Sequence, residues 1–310
     1  MESTSRALPK EAPPKHRVRY VSNRLRPQHF SRSSIVKKLL QFTYPMAEHW
    51  TESMFVRHGD IFVRFLEQSL PKTELEVAGL LRVFSEFGVK ESARILDLCC
   101  GIGRHSVALA EKGFQVTGID LSEANIRRAE VTAKEKDVEK RTEFLVGDVR
   151  RLLEHIPQIV RKFGAVINMF TSLGYWDEAT DASILQQASQ LAEKGCILVV
   201  DMANKDYLVR HFQPFGTLTL QGEPQYVLIE ERQLNLETSR MNNKWTFYRK
   251  EGEDLKHAAT VLLDHRVYSL HELVSLIRSA GWDHLRAYGD FGLNPVTFDS
   301  SRIVVAARKP

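Results

Sequence analysis

The chain has 310 residues, 43% of them apolar and 26% charged, a balance that suits a soluble globular protein with one large domain or two modest ones. No apolar run approaches the roughly 18 residues that span a bilayer. Its three cysteines, two of them adjacent, make neither a disulfide framework nor a zinc spacing, and they fit a reducing, cytoplasmic setting.

The net charge of +4 is unevenly spread. Ten basic residues against Glu2 and Glu11 give residues 1–40 a charge of +8 and leave the remainder at −4. Residues 1–34, rich in Pro, Ser and Arg, read as a basic, flexible arm. Such an arm is a solvated tail, a transit peptide, or a grip for RNA phosphates or another anionic surface. Residues 35–91 then carry helical spacing. Ile35, Leu39 and Leu40 begin it, and a helix over Met54–Leu70 puts Phe55, Ile61, Phe62 and Phe65 on one side before Pro71. A further helix runs from Glu74 to Phe87 and stops near Gly88. This segment is expected to form a helical lid on the domain that follows, residues 92–310.

From Arg94 the period changes. Arg94–Cys99 reads as a buried strand, Gly103–Lys112 as a helix, and Gln115–Ile119 as a second strand. Ser122 caps a helix to about Lys136. Thr142–Val146, Ala165–Met169 and Cys196–Val200 are three more strands, the last following a helix over Ala179–Glu193. Strands alternating with helices predict an α/β fold with a parallel, Rossmann-like sheet covered on both faces. After Asp201 the alternation stops. Residues 205–267 hold strand-like runs at Thr217–Leu220, Tyr226–Leu236, Lys244–Arg249 and Ala259–Val267, with turns at Ser239–Asn243 and Glu251–Asp254. They read as an antiparallel insert. A helix over Leu270–Ser279 and strands near His284–Tyr288 and Arg302–Ala307 close the chain.

The chemistry sits at the first strand end, Ile95-Leu-Asp97-Leu-Cys-Cys-Gly101-Ile-Gly103-Arg-His-Ser106. Strand, glycine turn and helix start let backbone approach a ligand and offer free N–H groups. Asp120 ends the next strand, where a carboxylate can accept ribose hydroxyls. Asp148, in Val146-Gly-Asp148-Val149, follows the third strand and can meet an adenine amine. A nicotinamide cofactor calls for a third glycine where this chain has Ser106. Asp97 suits an amino-acid ammonium, which S-adenosylmethionine (SAM) has and NAD lacks.

Segment 92–202 resembles the cofactor core of class I SAM-dependent methyltransferases, with Cys99 where that family usually has glycine. Asn168-Met-Phe-Thr-Ser-Leu-Gly-Tyr175 resembles the loop after the fourth strand in small-molecule methyltransferases of the amino-sugar and glycine/sarcosine N-methylating types, and Arg266-Val-Tyr-Ser-Leu-His-Glu-Leu273 resembles the segment that leads from their insert into the last helix. The resemblance implies a seven-stranded sheet with the antiparallel insert after strand 5. It assigns Asp97 and the Gly101 and Gly103 backbone to the methionine part of SAM, with Arg104 reaching its carboxylate. Asp120 falls to the ribose, Asp148 and Val149 to the adenine, and Asn168 and Met169 to the neighbourhood of the sulfonium; Cys99 and Leu121 join the cofactor-binding set. No metal is expected.

Methyl transfer from a sulfonium is an in-line displacement that positioning and exclusion of water accelerate. Tyr175, for orienting the acceptor, and His265 of the insert are the candidate catalytic residues. Tyr44, His49 and Trp50 of the lid, Tyr175, and Arg232 and Arg266 of the insert are candidates for the acceptor pocket. The expected acceptor is a small molecule, methylated at nitrogen or oxygen. The alternative is an RNA held by the basic arm. The insert could also join two copies into a homodimer.

Overall fold

The computed structural model describes residues 49–156 and 162–310. Seven strands form one sheet: β1 (Arg94–Leu98), β2 (Gln115–Asp120), β3 (Thr142–Val146), β4 (Phe163–Asn168), β5 (Ala192–Ala203), β10 (Asp283–Tyr288) and β11 (Arg302–Arg308). Their order is β10-β11-β5-β4-β1-β2-β3. β11 runs antiparallel to both β5 and β10, whereas β5, β4, β1, β2 and β3 are mutually parallel. The expected Rossmann-like methyltransferase sheet is therefore present, and the ends of the parallel strands gather at one edge, where such sheets bind ligands.

Residue alternation explains why both faces are covered. Leu96 and Leu98 of β1 enter a core with Ile184, Leu185 and Leu191 of α6 (Glu178–Leu191) and with Leu273, Ile277 and Trp282. Ile95 turns to the other face, against Leu80, Val83 and Phe84 of α2 (Thr73–Phe87) and Val107 and Leu109 of α3 (Arg104–Glu111). Gly88 ends α2 at φ 76°. Ser122 caps α4 (Glu123–Glu135) by accepting from the Asn125 N–H, and Ser269 with Glu272 forms a capping box on α8 (Leu270–Ser279). Each cap is worth about 1 kcal/mol.

The expected helix over Met54–Leu70 is broken. A π-helical turn at Glu52–Arg57 is followed by α1 (Gly59–Glu67) and a short 3-10 turn at Leu70–Lys72 that contains Pro71. The insert is the expected antiparallel sheet, in the order β6 (Phe215–Leu220), β7 (Tyr226–Asn235), β8 (Arg240–Glu251), β9 (Asp254–Arg266). Its first turn lies earlier than Ser239–Asn243. Asn235 Oδ1 accepts from the N–H groups of Glu237 and Thr238, so the chain reverses there, and Asn242 and Asn243 pair within β8–β9. Alternate residues of the insert, among them Leu228, Trp245, Phe247, Val261 and Leu263, pack with Trp50, Met54, Phe55 and α1 in a third core. Residues 50–65 are thus covered by the insert. Among the described residues no helix is long and apolar enough to cross a membrane.

Candidate active site

At the edge of the parallel strands lies a cleft of about 790 Å³, counting its open mouth. Asp97, Cys99, Gly101, Arg104, Asp120, Leu121, Asp148, Val149, Met169 and Tyr175, all singled out from the sequence, line it together. Three of them are carboxylates at or near strand ends, each held by donors of the turn or helix that follows a strand.

Asp97 is 1% exposed and accepts from Ser106 Oγ at 2.6 Å. Burial pushes its carboxyl up to about 7, against the pull of Ser106 and Arg104. The side chain at the position where a nicotinamide fingerprint has glycine therefore fixes this carboxylate. Asp120 takes Gly101 N–H on Oδ2 at 2.8 Å, and Ser122 N–H and Asn125 Nδ2 on Oδ1 at 2.9 and 3.1 Å. Burial raises it and these three donors oppose the rise. A carboxylate offers about four acceptor positions, so Asp120 keeps capacity for a further hydroxyl. Asp148 is engaged differently. Arg150 grips it in a fork, with Nε and Nη2 on Oδ2 at 2.9 and 2.6 Å and its own N–H on Oδ1. Burial would raise Asp148, but these bonds hold it below the usual range. Arg150 also lies 4.8 Å from the Trp176 ring.

The glycine turn has three residues at positive φ, Cys99 (57°), Gly101 (56°) and Gly103 (71°). Cys99 thus adopts the left-handed backbone that glycine adopts more cheaply. Its thiol is pushed up by burial and the surrounding carboxylates, which leaves it unreactive. Gly103 has a packing reason as well, since a Cβ there would sit 2.7 Å from Ala129 Cβ.

Arg104 opens α3 and is 7% exposed. Its Nη1 donates to Thr73 Oγ1 at 3.3 Å and to Glu76, and its Nη2 is buried with no partner among the described residues. Glu76 also meets His105 Nε2 at 2.8 Å. Burial would raise Glu76, but the His105 hydrogen bond and the Arg104 charge outweigh it and hold the carboxyl at about 2.

A connected group of rings makes up much of the remaining lining. Phe55 lies 4.8 Å from Phe62 and 5.5 Å from Tyr175, and Tyr175 lies 5.8 Å from Trp176. Burial pushes the Tyr175 phenol up, so it stays protonated near neutrality. The loop carrying it is pinned from two sides. Gly174 N–H donates to Asp181 of α6 at 2.9 Å, and Gly174 O accepts from Arg266 N–H at 2.7 Å. A Cβ on Gly174, already at φ 87°, would lie 2.2 Å from Arg266 O.

Several expected residues stand elsewhere. Tyr44 lies outside the described residues, as do residues 1–34. Asn168 is buried at the end of β4 and donates to Leu98 O at 3.2 Å, bridging β4 to β1 without lining the cleft. Gly103 shapes the turn from behind. His49 and Trp50 form a second layer: Trp50 Nε1 donates to Asp264 O at 2.9 Å with its ring 5.0 Å from Tyr175, and His49 stacks 5.8 Å from Trp176.

His265 is displaced because β9 carries it past the cleft, on the face that Val261 and Leu263 share. Burial lowers it to about 4. Arg232 pairs with Glu230, on the inward face of β7 but away from the cleft. Arg266 pairs with Thr238 O, Glu178 and Glu272 and so fastens the insert to α6 and α8, its Nε alone left without a partner among the described residues. In the other direction, Thr51, Phe55, Phe62, Leu66, Phe170, Ser172 and Trp176 line the cleft but were not assigned to it from the sequence. Phe55 and Phe62 were legible only as the apolar side of a helix, Phe170 and Ser172 only as part of the Asn168–Tyr175 loop motif, and Thr51, Leu66 and Trp176 carried no signal.

Among the described residues no cluster of three or more His, Cys, Asp or Glu is placed to hold a metal. The donor set fits SAM instead. A buried guanidinium nitrogen lacks an acceptor, and Asp120 has an acceptor to spare. Fold and lining together define the cofactor-binding half of a Rossmann-like methyltransferase.

Comparison with known proteins gives the same class. Residues 95–195 match the family described as methyltransferase domain. Over those residues the chain is similar to a methyltransferase domain. It is 27% identical over 232 residues to the Bacillus subtilis protein YqeM, named a methyltransferase, across 72% of this chain and 87% of that one. To the glycine/sarcosine N-methyltransferase of Aphanothece halophytica it is 30% identical over 182 residues, across 56% of this chain and 63% of that enzyme. A solved SAM-dependent methyltransferase from Clostridium acetobutylicum shares the fold with a TM-score of 0.67 at 16% identity, covering 82% of this chain and 98% of that one.

Proposed function

We propose that this enzyme methylates a small molecule at nitrogen or oxygen. The observation that carries this reading is the ring group Phe55, Phe62, Tyr175 and Trp176 in the cleft lining, packed beneath the insert through Trp50 and α1. Such a recess suits a compact acceptor with apolar surface, and ring faces favour an amine that becomes cationic on methylation. The likeness to a glycine/sarcosine N-methyltransferase supports the same acceptor class.

In this reading Asp97 holds the amino-acid ammonium of SAM, Arg104 Nη2 its carboxylate, Asp120 the ribose, and Asp148 with Val149 the adenine. SAM when bound supplies a methyl group on a sulfonium, open to attack from the acceptor. Met169 and Phe170 line the cleft and would help exclude water from it. Tyr175, protonated, orients the acceptor by donating a hydrogen bond and is no base. The RNA reading rests on the basic residues of 1–40, which lie outside the described residues, and neither it nor homodimerisation through the insert draws support from the described ones.

The test is transfer of labelled methyl from SAM to panels of small amines and alcohols, with RNA as a parallel substrate. Label moving into an amine or alcohol is expected. Label entering RNA alone would sink the proposal.

A further inference from the structure

The loop after β4 is strained at two successive non-glycine residues, Phe170 (φ 61°) and Thr171 (φ 64°). Left-handed backbone at such residues persists only where the surroundings enforce it. Here β5 and β11 enforce it. Asp201 of β5, 1% exposed, accepts Phe170 N–H on Oδ2 at 3.0 Å, and its carbonyl accepts Thr171 N–H at 2.9 Å. Thr171 Oγ1 accepts Ala203 N–H at 2.9 Å. Arg302 of β11 then grips the Asp201 carboxylate, with Nε on Oδ1 at 2.7 Å and Nη2 on Oδ2.

This arrangement determines where one ring sits. Arg302 Cζ lies 5.7 Å from the centroid of Phe170, and Arg104 Cζ lies 5.4 Å from the same centroid. Both guanidinium groups are within the range of attraction to a ring face. Arg104 is also held by Thr73 and Glu76 of α2, and only its Nη2 is left without a partner among the described residues. Phe170 lines the cleft beside it.

We infer that Asp201 and Arg302 are positioning residues for the amino-acid end of the cofactor cleft. They fix Phe170, and through its ring they hold Arg104 with Nη2 available to a carboxylate. The inference rests on the proposed role of Arg104. A pair that only tied β5 to β11 would not distinguish one end of the ligand from the other.

The probes are S-adenosylhomocysteine and 5′-methylthioadenosine, which shares the nucleoside and thioether but lacks the amino-acid end. Both are titrated calorimetrically into the full chain, wild type and variants. Arg302→Met is expected to weaken S-adenosylhomocysteine about fivefold, the scale of one such ring contact, and to change methylthioadenosine less than about twofold. Arg302→Lys should fall between wild type and Arg302→Met. Phe170→Leu, which leaves the ion pair intact, should repeat the selective loss. Equal weakening of both ligands, or no weakening of either, in Arg302→Met and Phe170→Leu would overturn the inference. A wild type that binds the two ligands equally would instead overturn the role of Arg104, and the inference with it.

Discussion

The two halves of the cleft are built by different means. On the side proposed for the cofactor, each carboxylate is fixed by donors no more than 19 residues away in the chain. Asp120 is held from Ser122, Asn125 and Gly101, Asp97 from Ser106, and Asp148 from Arg150. On the acceptor side the lining is assembled from distant segments. Trp50 reaches Asp264 of the insert, Arg240 reaches Trp176 O at 2.8 Å, and Gly174 is clasped between Asp181 and Arg266. Nearby donors preorganise the carboxylates, and only Arg104 and Phe170 at that end depend on distant partners, Thr73, Glu76, Asp201 and Arg302, none of them in the insert; changes in the insert can therefore reshape the proposed acceptor end without disturbing the proposed cofactor end.

The largest expected effect tests the joint between the halves. Gly174→Ala places a Cβ against Arg266 O in a left-handed backbone. It should lower stability by about 3 kcal/mol in denaturant unfolding. A variant as stable as wild type would show that the loop moves freely against the insert.

Next in size is the pH dependence of cofactor binding. With its carboxyl near 7, Asp97 of the free protein keeps its proton below that pH. An ammonium binds the ionised form, so affinity for S-adenosylhomocysteine should rise as pH rises through 7. Binding at pH 6 should be about tenfold weaker than at pH 8, and Asp97→Asn should abolish the slope. For the protein without ligand the sign reverses. Between about 4 and 7 the folded state holds a proton that the unfolded chain has released, so Asp97 contributes less stability as pH climbs through that window.

Smaller still is the effect of Phe62→Leu, which should raise the acceptor KM about fivefold while S-adenosylhomocysteine binds within about twofold of wild type. A comparable loss of cofactor affinity would mean that the halves are coupled through α1. The smallest effect is expected at His265, which the strand carries past the cleft. His265→Gln should leave methyl transfer within about twofold of wild type.

The same contrast explains what could be read from the sequence. The alternating strands and helices, the last helix over Leu270–Ser279 and the strand-end carboxylates were legible because period, turn glycines and caps are local signals. Asn168, the last residue of β4, donates its Nδ2 to Leu98 O and keeps Oδ1 without a partner among the described residues, while Met169 beside it lines the cleft. Arg150 was overlooked as the partner of Asp148, although the two stand two residues apart, because surface arginines carry no pattern. Arg232, His265 and Arg266 went astray because their positions depend on how the insert registers against the loop after β4, which depends on contacts such as Gly174–Arg266 that leave no period in the sequence.

The central claim is that the carboxylates at the strand ends form a SAM site, and calorimetric titration of S-adenosylhomocysteine into wild type and Asp120→Asn tests it most directly. The account predicts roughly micromolar binding to wild type, weakened about tenfold or more in the variant by loss of a charged acceptor, with thermal unfolding confirming that Asp120→Asn remains folded. Wild-type protein that takes up no S-adenosylhomocysteine, or a folded variant that binds it as tightly as wild type, would contradict it.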